Sequence, residues 1–181
     1  VDLRDNPLSA ESLNTLIPQL EARGVEVLYC GEPQPVTFPD PNLEAAIREA
    51  IGKPEGDIDV CDLEGLTSLD ASDWNIADLT GLEHCTSLPA LDLSWNQISN
   101  VSVLSGLSGL TWLNLSGNPI SDLSPLSRLT SLTVLVLEHS PISDISPLSE
   151  LTSLTDLWLS YNRISDLSPL SGLTSLRVLH L

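Results

Sequence analysis

The chain has 181 residues, 41% of them apolar but only 4% aromatic, with a formal net charge of −18. That content suffices for an aliphatic core, while the charge repels nucleic acid and anionic membrane surfaces and argues against phosphate-binding roles. No apolar run is long enough to cross a bilayer, and Cys30, Cys61 and Cys85 show no CxxC or ligand spacing, so buried or bystander thiols are expected rather than a disulfide framework or zinc site.

In chain order, residues 9–24 predict a helix. Leu13, Leu16, Ile17 and Leu20 form its stripe, Ser9 its N-cap, and Gly24 follows its last turn. Pro18 lies inside the stripe and predicts a kink or a shortened helix. Residues 24–29, GVEVLY, read as a strand, and residues 31–39, GEPQPVTFP, as a linker. In the next segment Asp40 is placed as N-cap and Pro41 as the first helical residue. Leu43, Ala46, Ile47, Ala50 and Ile51 make one apolar stripe, and Gly52 ends it.

From residue 66 the chain repeats every 22 residues. One column holds Leu66, Leu88, Leu110, Leu132, Leu154 and Leu176; the next holds Leu69, Leu91, Leu113, Leu135, Leu157 and Leu179. Cys85 fills a slot that is otherwise Leu107, Leu129, Leu151 and Leu173, which suits a buried thiol. Leucines two apart, such as Leu113 and Leu115, point to the same side of a strand. Asn96, Asn118 and Asn162 share a column with Ser140 and with Trp74; the asparagines are expected to bond backbone where the strand ends. Trp74, in the first unit, is read as packing against the cap. Asp78, Asn100, Asp122, Asp144 and Asp166 invite a calcium reading, but each precedes a short turn that a side-chain oxygen would cap.

The spacing L-x-x-L-x-L-x-x-N-x-I, repeated over about five units without an insertion, is that of leucine-rich repeats. The fuller string NxISDLSPLSxLTSL resembles the 22-residue units of bacterial internalins, and those of the phosphatase-regulator family, over residues 66–181. The resemblance implies an α/β fold: a right-handed leucine-rich repeat solenoid with a parallel β-sheet on the concave face, short 3₁₀ or turn segments on the convex face and a small α-helical N-terminal cap. Residues 40–65 then read as the helical cap. Residues 1–30 read as the closing unit of a preceding leucine-rich array, which marks the chain as a piece of a longer protein.

The residues that vary between repeats are expected to face outward, at positions three, five, seven and eight of each unit. There Trp112, Val134, Val136 and Trp158 fall on three adjacent strands, with Trp95, His139 and Tyr161 beside them and Asp92, Glu138 and Asp156 as an acidic rim. A contiguous apolar patch marks an interaction site, and Trp and Tyr are favoured anchors; strand propensity alone also accounts for valine and tryptophan here. The expected partner-binding set is Trp95, Trp112, Val134, Val136, Glu138, His139, Asp156, Trp158 and Tyr161. No catalytic motif is found, and no cofactor or metal is expected. The chain therefore reads as a non-enzymatic protein-recognition module whose partner carries a basic or mixed surface. A carbohydrate-binding face and a structural spacer stand as alternatives. Edge-to-edge self-association of the last strand is expected too. The internalin resemblance implies a secreted or cell-surface location; the phosphatase-regulator resemblance implies a cytoplasmic one.

Overall fold

Residues 3, 8–9, 11–27 and 34–181 are described by the structure, a computed structural model. Its frame is a parallel sheet of six strands in chain order: β1 (Leu69–Asp70), β2 (Ala90–Asp92), β3 (Trp112–Asn114), β4 (Val134–Val136), β5 (Asp156–Trp158) and β6 (Val178–His180). The register is the sequence period itself: Leu91 pairs with Leu113, Leu113 with Leu135 and Leu135 with Leu157. Each of β1 to β5 is followed by a short 3₁₀ turn on the other side of the coil, as at Ser102–Gly106 and Ser124–Arg128. The chain is thus a leucine-rich repeat solenoid, right-handed as parallel crossovers are.

The leucine columns meet between sheet and turns. Leu88, Leu91, Leu93, Leu104, Leu107 and Leu110 of one coil are all buried, and so are their equivalents in the next. Burying one such side chain contributes about 1.5–3 kcal/mol. Cys85 sits in its leucine slot, fully buried.

The polar columns close the coils. Asn118 accepts the Ile98 N–H through Oδ1 (3.0 Å) and donates through Nδ2 to the Leu93 and Leu115 carbonyls (2.9 and 3.0 Å). Asn96 and Asn162 make the same bridges one coil earlier and two coils later. The acidic column caps the turns: Asp122, Asp144 and Asp166 each accept the backbone N–H two residues on, and Asn100 does likewise.

Three short helices precede the array. Of the helix expected over 9–24, the described part is a π-helical turn, Ser12–Leu16, running into α1 (Ile17–Glu21). Pro18 has no N–H to give to the carbonyl four residues back, and it falls in the first turn of α1, just after the wider π turn. Residues 25–27 form no strand, and 28–30, the rest of the expected strand, lie outside the described residues. The cap helix α2 (Pro41–Ile51) has Asp40 as N-cap and a left-handed Gly52 as C-cap. Its buried stripe is Leu43, Ala46 and Ile47; Ala50, placed in that stripe by its spacing, is exposed. Asp40 also accepts the N–H groups of Ala77 and Asp78, which ties the cap to the first repeat (2.7 and 3.0 Å).

A third helix, α3 (Val60–Glu64), opens on a capping box of Asp59 and Asp62. Residues 34–39, within the stretch expected as a linker, are docked. Val36 donates to Ile58, Val60 donates to Gln34, and Phe38 is buried over Gly81. Gly81 has φ +103°, and a β-carbon there would fall 2.5 Å from the Phe38 ring. The reading of Cys61 as a thiol is corrected: it is disulfide-bonded. Cysteine spacing alone does not disclose pairing. Cys30 lies outside the described residues.

Candidate functional site

The outward face of the sheet carries two columns. Ala90, Trp112, Val134, Asp156 and Val178 are in register along one; Asp70, Asp92, Asn114, Val136, Trp158 and His180 along the other. Trp112, Val134, Val136, Asp156 and Trp158 are brought together there as expected, but each is half-buried by its neighbours rather than fully exposed. Trp158 and His180 stack with centroids 3.9 Å apart and planes 1° apart. At the other end of the sheet the face is polar, with Asn114 Nδ2 donating to Asp92 Oδ2 (3.1 Å).

At position seven Ser72, Glu138 and Ser160 are half-buried, but two residues turn inward against the alternation. Ser94 and Ser116 are buried. Ser94 gives its hydroxyl to Asp92 (2.6 Å), and the Ser116 hydroxyl accepts the Glu138 N–H (3.1 Å). The reason lies one residue on, where the strand ends. Position eight is in the left-handed region in every unit: Asp73 (φ 60°), Trp95 (57°), Gly117 (69°), His139 (53°) and Tyr161 (62°). That twist turns the position-seven side chain back toward the coil and throws the position-eight side chain out to solvent. Trp95 and Tyr161 are accordingly 57% and 76% exposed.

Thrown out together, these side chains form a ladder. His139 and Tyr161 lie in adjacent coils and stack at 4.2 Å, 11° from parallel. Trp95 and His139 lie two coils apart, roughly 10 Å along the axis, yet their ring centroids are 5.5 Å apart. Trp95 closes the distance by leaning across Gly117. A β-carbon on Gly117 would meet the indole at 2.6 Å, so glycine there supplies both the backbone conformation and the seat.

The chemistry of the ladder follows from its orientation. His139 and Tyr161 turn their faces to one another and their edges outward. His139 has Tyr161 stacked on one face and Trp95 tilted against it at 40°. Ring edges and the indole, imidazole and phenol hydrogens are the electropositive part of an aromatic. They suit carbonyl oxygens and other ring faces, whereas sugar stacking needs a free face. An open groove of about 530 Å³ runs beside the ladder, bordered by Pro119, His139, Pro141, Tyr161 and Arg163.

Two groups of the array, Cys85 and Asp70, are shifted by their surroundings. Burial, aided by the charge of Glu83, pushes the Cys85 thiol up to about 12. The Ser72 hydroxyl and N–H hold Asp70 below its ordinary range, against a small effect of burial. Among the described residues no group of three or more His, Cys, Asp or Glu side chains is placed to hold a metal ion, and no helix is long and apolar enough to cross a membrane.

Two family models match the chain. The one described as leucine rich repeats, two copies, matches residues 108–150 and 152–181, and the one described as leucine rich repeat matches 64–120. Among solved structures, an internalin (inlF) from Listeria monocytogenes is 39% identical with a TM-score of 0.76, over 81% of this chain and 45% of its own. An internalin C2 from the same organism is 27% identical with a TM-score of 0.48, over 83% of this chain and 97% of its own. No curated protein matches the chain. This chain spans less than half the length of the first of these internalins.

Proposed function

The chain belongs to the leucine-rich repeat family, as an internalin-like member, and from that premise we propose that it binds a partner protein through the concave face of its sheet. An internalin-like solenoid is a protein-interaction scaffold; the face, the residues and the partner chemistry are our reading. One observation carries it: the half-buried patch of Trp112, Val134, Val136 and Trp158 lies beside an exposed ladder of Trp95, His139 and Tyr161. Glu138 lies between Val136 of the patch and His139 of the ladder in the chain, and Asp156 is in register with Val134, so acidic groups are interleaved with the apolar ones. A surface held by stacked coils is preordered, so binding costs it little entropy. The interleaved carboxylates favour a partner with basic groups.

The sheet performs no chemistry in this reading, and the chain acts as a scaffold rather than an enzyme. The ring contacts cover one face each of Tyr161 and Trp158, while Trp95 and Tyr161 remain widely exposed to a partner. The disulfide at Cys61 suits an oxidising compartment and so supports a secreted or surface location over the cytoplasm. We keep residues 1–30, 31–39, 40–65 and 66–181 as the proposed division of the chain.

The test compares the wild type with Trp112→Ser/Val136→Ser/Trp158→Ser in capture from host and bacterial lysates, after circular dichroism has established that both are folded. A protein held by the wild type and released by the variant is the expected result. Equal capture by both, or none by either, would sink the reading and leave the face a structural spacer.

A further inference from the structure

The partner surface has a second element at its N-terminal end. Between α2 and β1 lies an open groove of about 480 Å³, lined by Glu49, Ala50, Ser68, Asp70, Ser72 and Trp74. Trp74 fills the slot that asparagine holds in later coils; it packs partly against the core and borders the groove with the rest of its ring. Two carboxylates flank it. Ser72 gives its N–H and hydroxyl to Asp70 Oδ1 (3.1 and 2.7 Å), which fixes that carboxylate and leaves Oδ2 without a donor among the described residues. One coil on, the corresponding oxygen of Asp92 is taken by Asn114. The neighbour of Asp70 in the sheet is Asp92 itself, which has no proton to give.

Glu49 is likewise exposed, and its carboxylate has no ion pair or hydrogen bond among the described residues. The cations nearest to it in sequence are committed elsewhere. Arg48 pairs with Glu44 (2.8 Å) and donates to the Lys53 and Gly56 carbonyls. Lys53 pairs with Asp62 (2.7 Å). Among the described residues no cation lines the groove, in a chain of net charge −18. An aromatic floor between two carboxylates fits a planar cation better than a compact ammonium, because a guanidinium both stacks and bonds in a fork.

We propose that the groove between the cap helix and the first strand receives an arginine side chain of the partner protein, held by Glu49 and Asp70 and laid against Trp74. The proposal rests on the reading of the adjoining sheet as a protein-binding face. It adds a charged anchor at one end of that face to the apolar anchors at the other.

The test titrates the whole chain with N-acetyl-arginine amide and follows the four indole N–H signals by NMR, assigning Trp74 with Trp74→Phe. The expected result is a saturating shift at Trp74, larger than at Trp95, Trp112 or Trp158. The isosteric but neutral N-acetyl-citrulline amide produces none. Glu49→Gln/Asp70→Asn weakens the binding by about fivefold or more. Equal shifts at all four indoles, equal shifts with citrulline, or unchanged binding by the double variant would each overturn the proposal. The lysate capture reports on Trp112, Val136 and Trp158 and the titration on Trp74, so the two readings fail separately.

Discussion

Ser140 stands where Asn96, Asn118 and Asn162 stand in their own coils, and the difference is visible in the hydrogen bonds. Its hydroxyl reaches the Glu138 carbonyl at 3.4 Å, while the Ile120 N–H, which an asparagine would have bonded, turns to the Asn118 carbonyl instead. Ser140→Asn should restore the bridge and stabilise the chain by about 1 kcal/mol, read as a higher urea midpoint at unchanged slope. Asn118→Ala should do the reverse. It removes the acceptor of the Ile98 N–H and leaves buried backbone short of partners, at about 1–3 kcal/mol for an unsatisfied group; a midpoint within error of the wild type would refute the role given to this column. The asparagine column was legible from its residue type and spacing. The ladder was legible only as a set of neighbours. Trp95, His139 and Tyr161 carry no signature of positive φ, and nothing in their spacing says that Trp95 leans across a glycine to reach His139. Gly117→Ala should therefore act twice, through backbone strain of about 1–2 kcal/mol and through the lost seat of Trp95, whose fluorescence should shift to the red as the indole moves into solvent.

At the scale of the element, each convex turn is a short 3₁₀ segment held by a carboxylate ahead of it. Asp122, Asp144 and Asp166 are all held below their ordinary value of 3.8 by hydrogen bonds from the serine two residues on. Because these folded values are depressed, the caps stabilise the fold fully above the ordinary carboxylate range and lose that contribution as pH falls through the lower folded values. The thermal midpoint should thus decline as pH drops below about 4. Asn100 performs the same cap without a charge, so Asp122→Asn/Asp144→Asn/Asp166→Asn should keep much of the neutral-pH stability and flatten the acid decline, while the alanine triple variant loses stability at neutral pH. An asparagine variant as acid-sensitive as the wild type would place the decline elsewhere, Asp40 being the first candidate: burial raises its pKa, but four backbone N–H donors outweigh that and lower it. The strands and turns were legible because a strict period fixes register by itself, and the cap helix because Asp40, Pro41 and Gly52 mark its ends. The π turn before Pro18, the docking of Phe38 over Gly81 and the inward serines of position seven were not, since each depends on what a neighbouring element does with its backbone. The disulfide at Cys61 was missed for a related reason: distance in sequence carries no information on distance in space.

On the scale of the 181-residue chain taken by itself, a long-range repulsion and a short-range attraction oppose each other at the last coil. In inner coils the leucines of the repeat are covered on both sides, but in the last one Leu179 is 39% and Leu181 64% exposed, with Leu167 exposed beside them. Strand β6 also has no neighbour on its outer side among the described residues. An uncovered strand edge with apolar flanks is a template for another copy. The net charge of −18 resists that approach, because two such chains repel each other before their edges meet. Salt decides between the two. The screening length is about 10 Å at 0.1 M and about 3 Å at 1 M ionic strength, so added salt removes the repulsion and leaves burial of the leucines, which salt does not weaken. Sedimentation velocity should therefore give a monomer at low salt and a growing dimer fraction at high salt and high protein concentration. Leu179→Lys/Leu181→Lys should abolish the dimer, although it lowers the negative charge and would by electrostatics alone promote association. A clean monomer at every salt concentration, or association that falls as salt rises, would show that the exposed end is too small to hold two copies together.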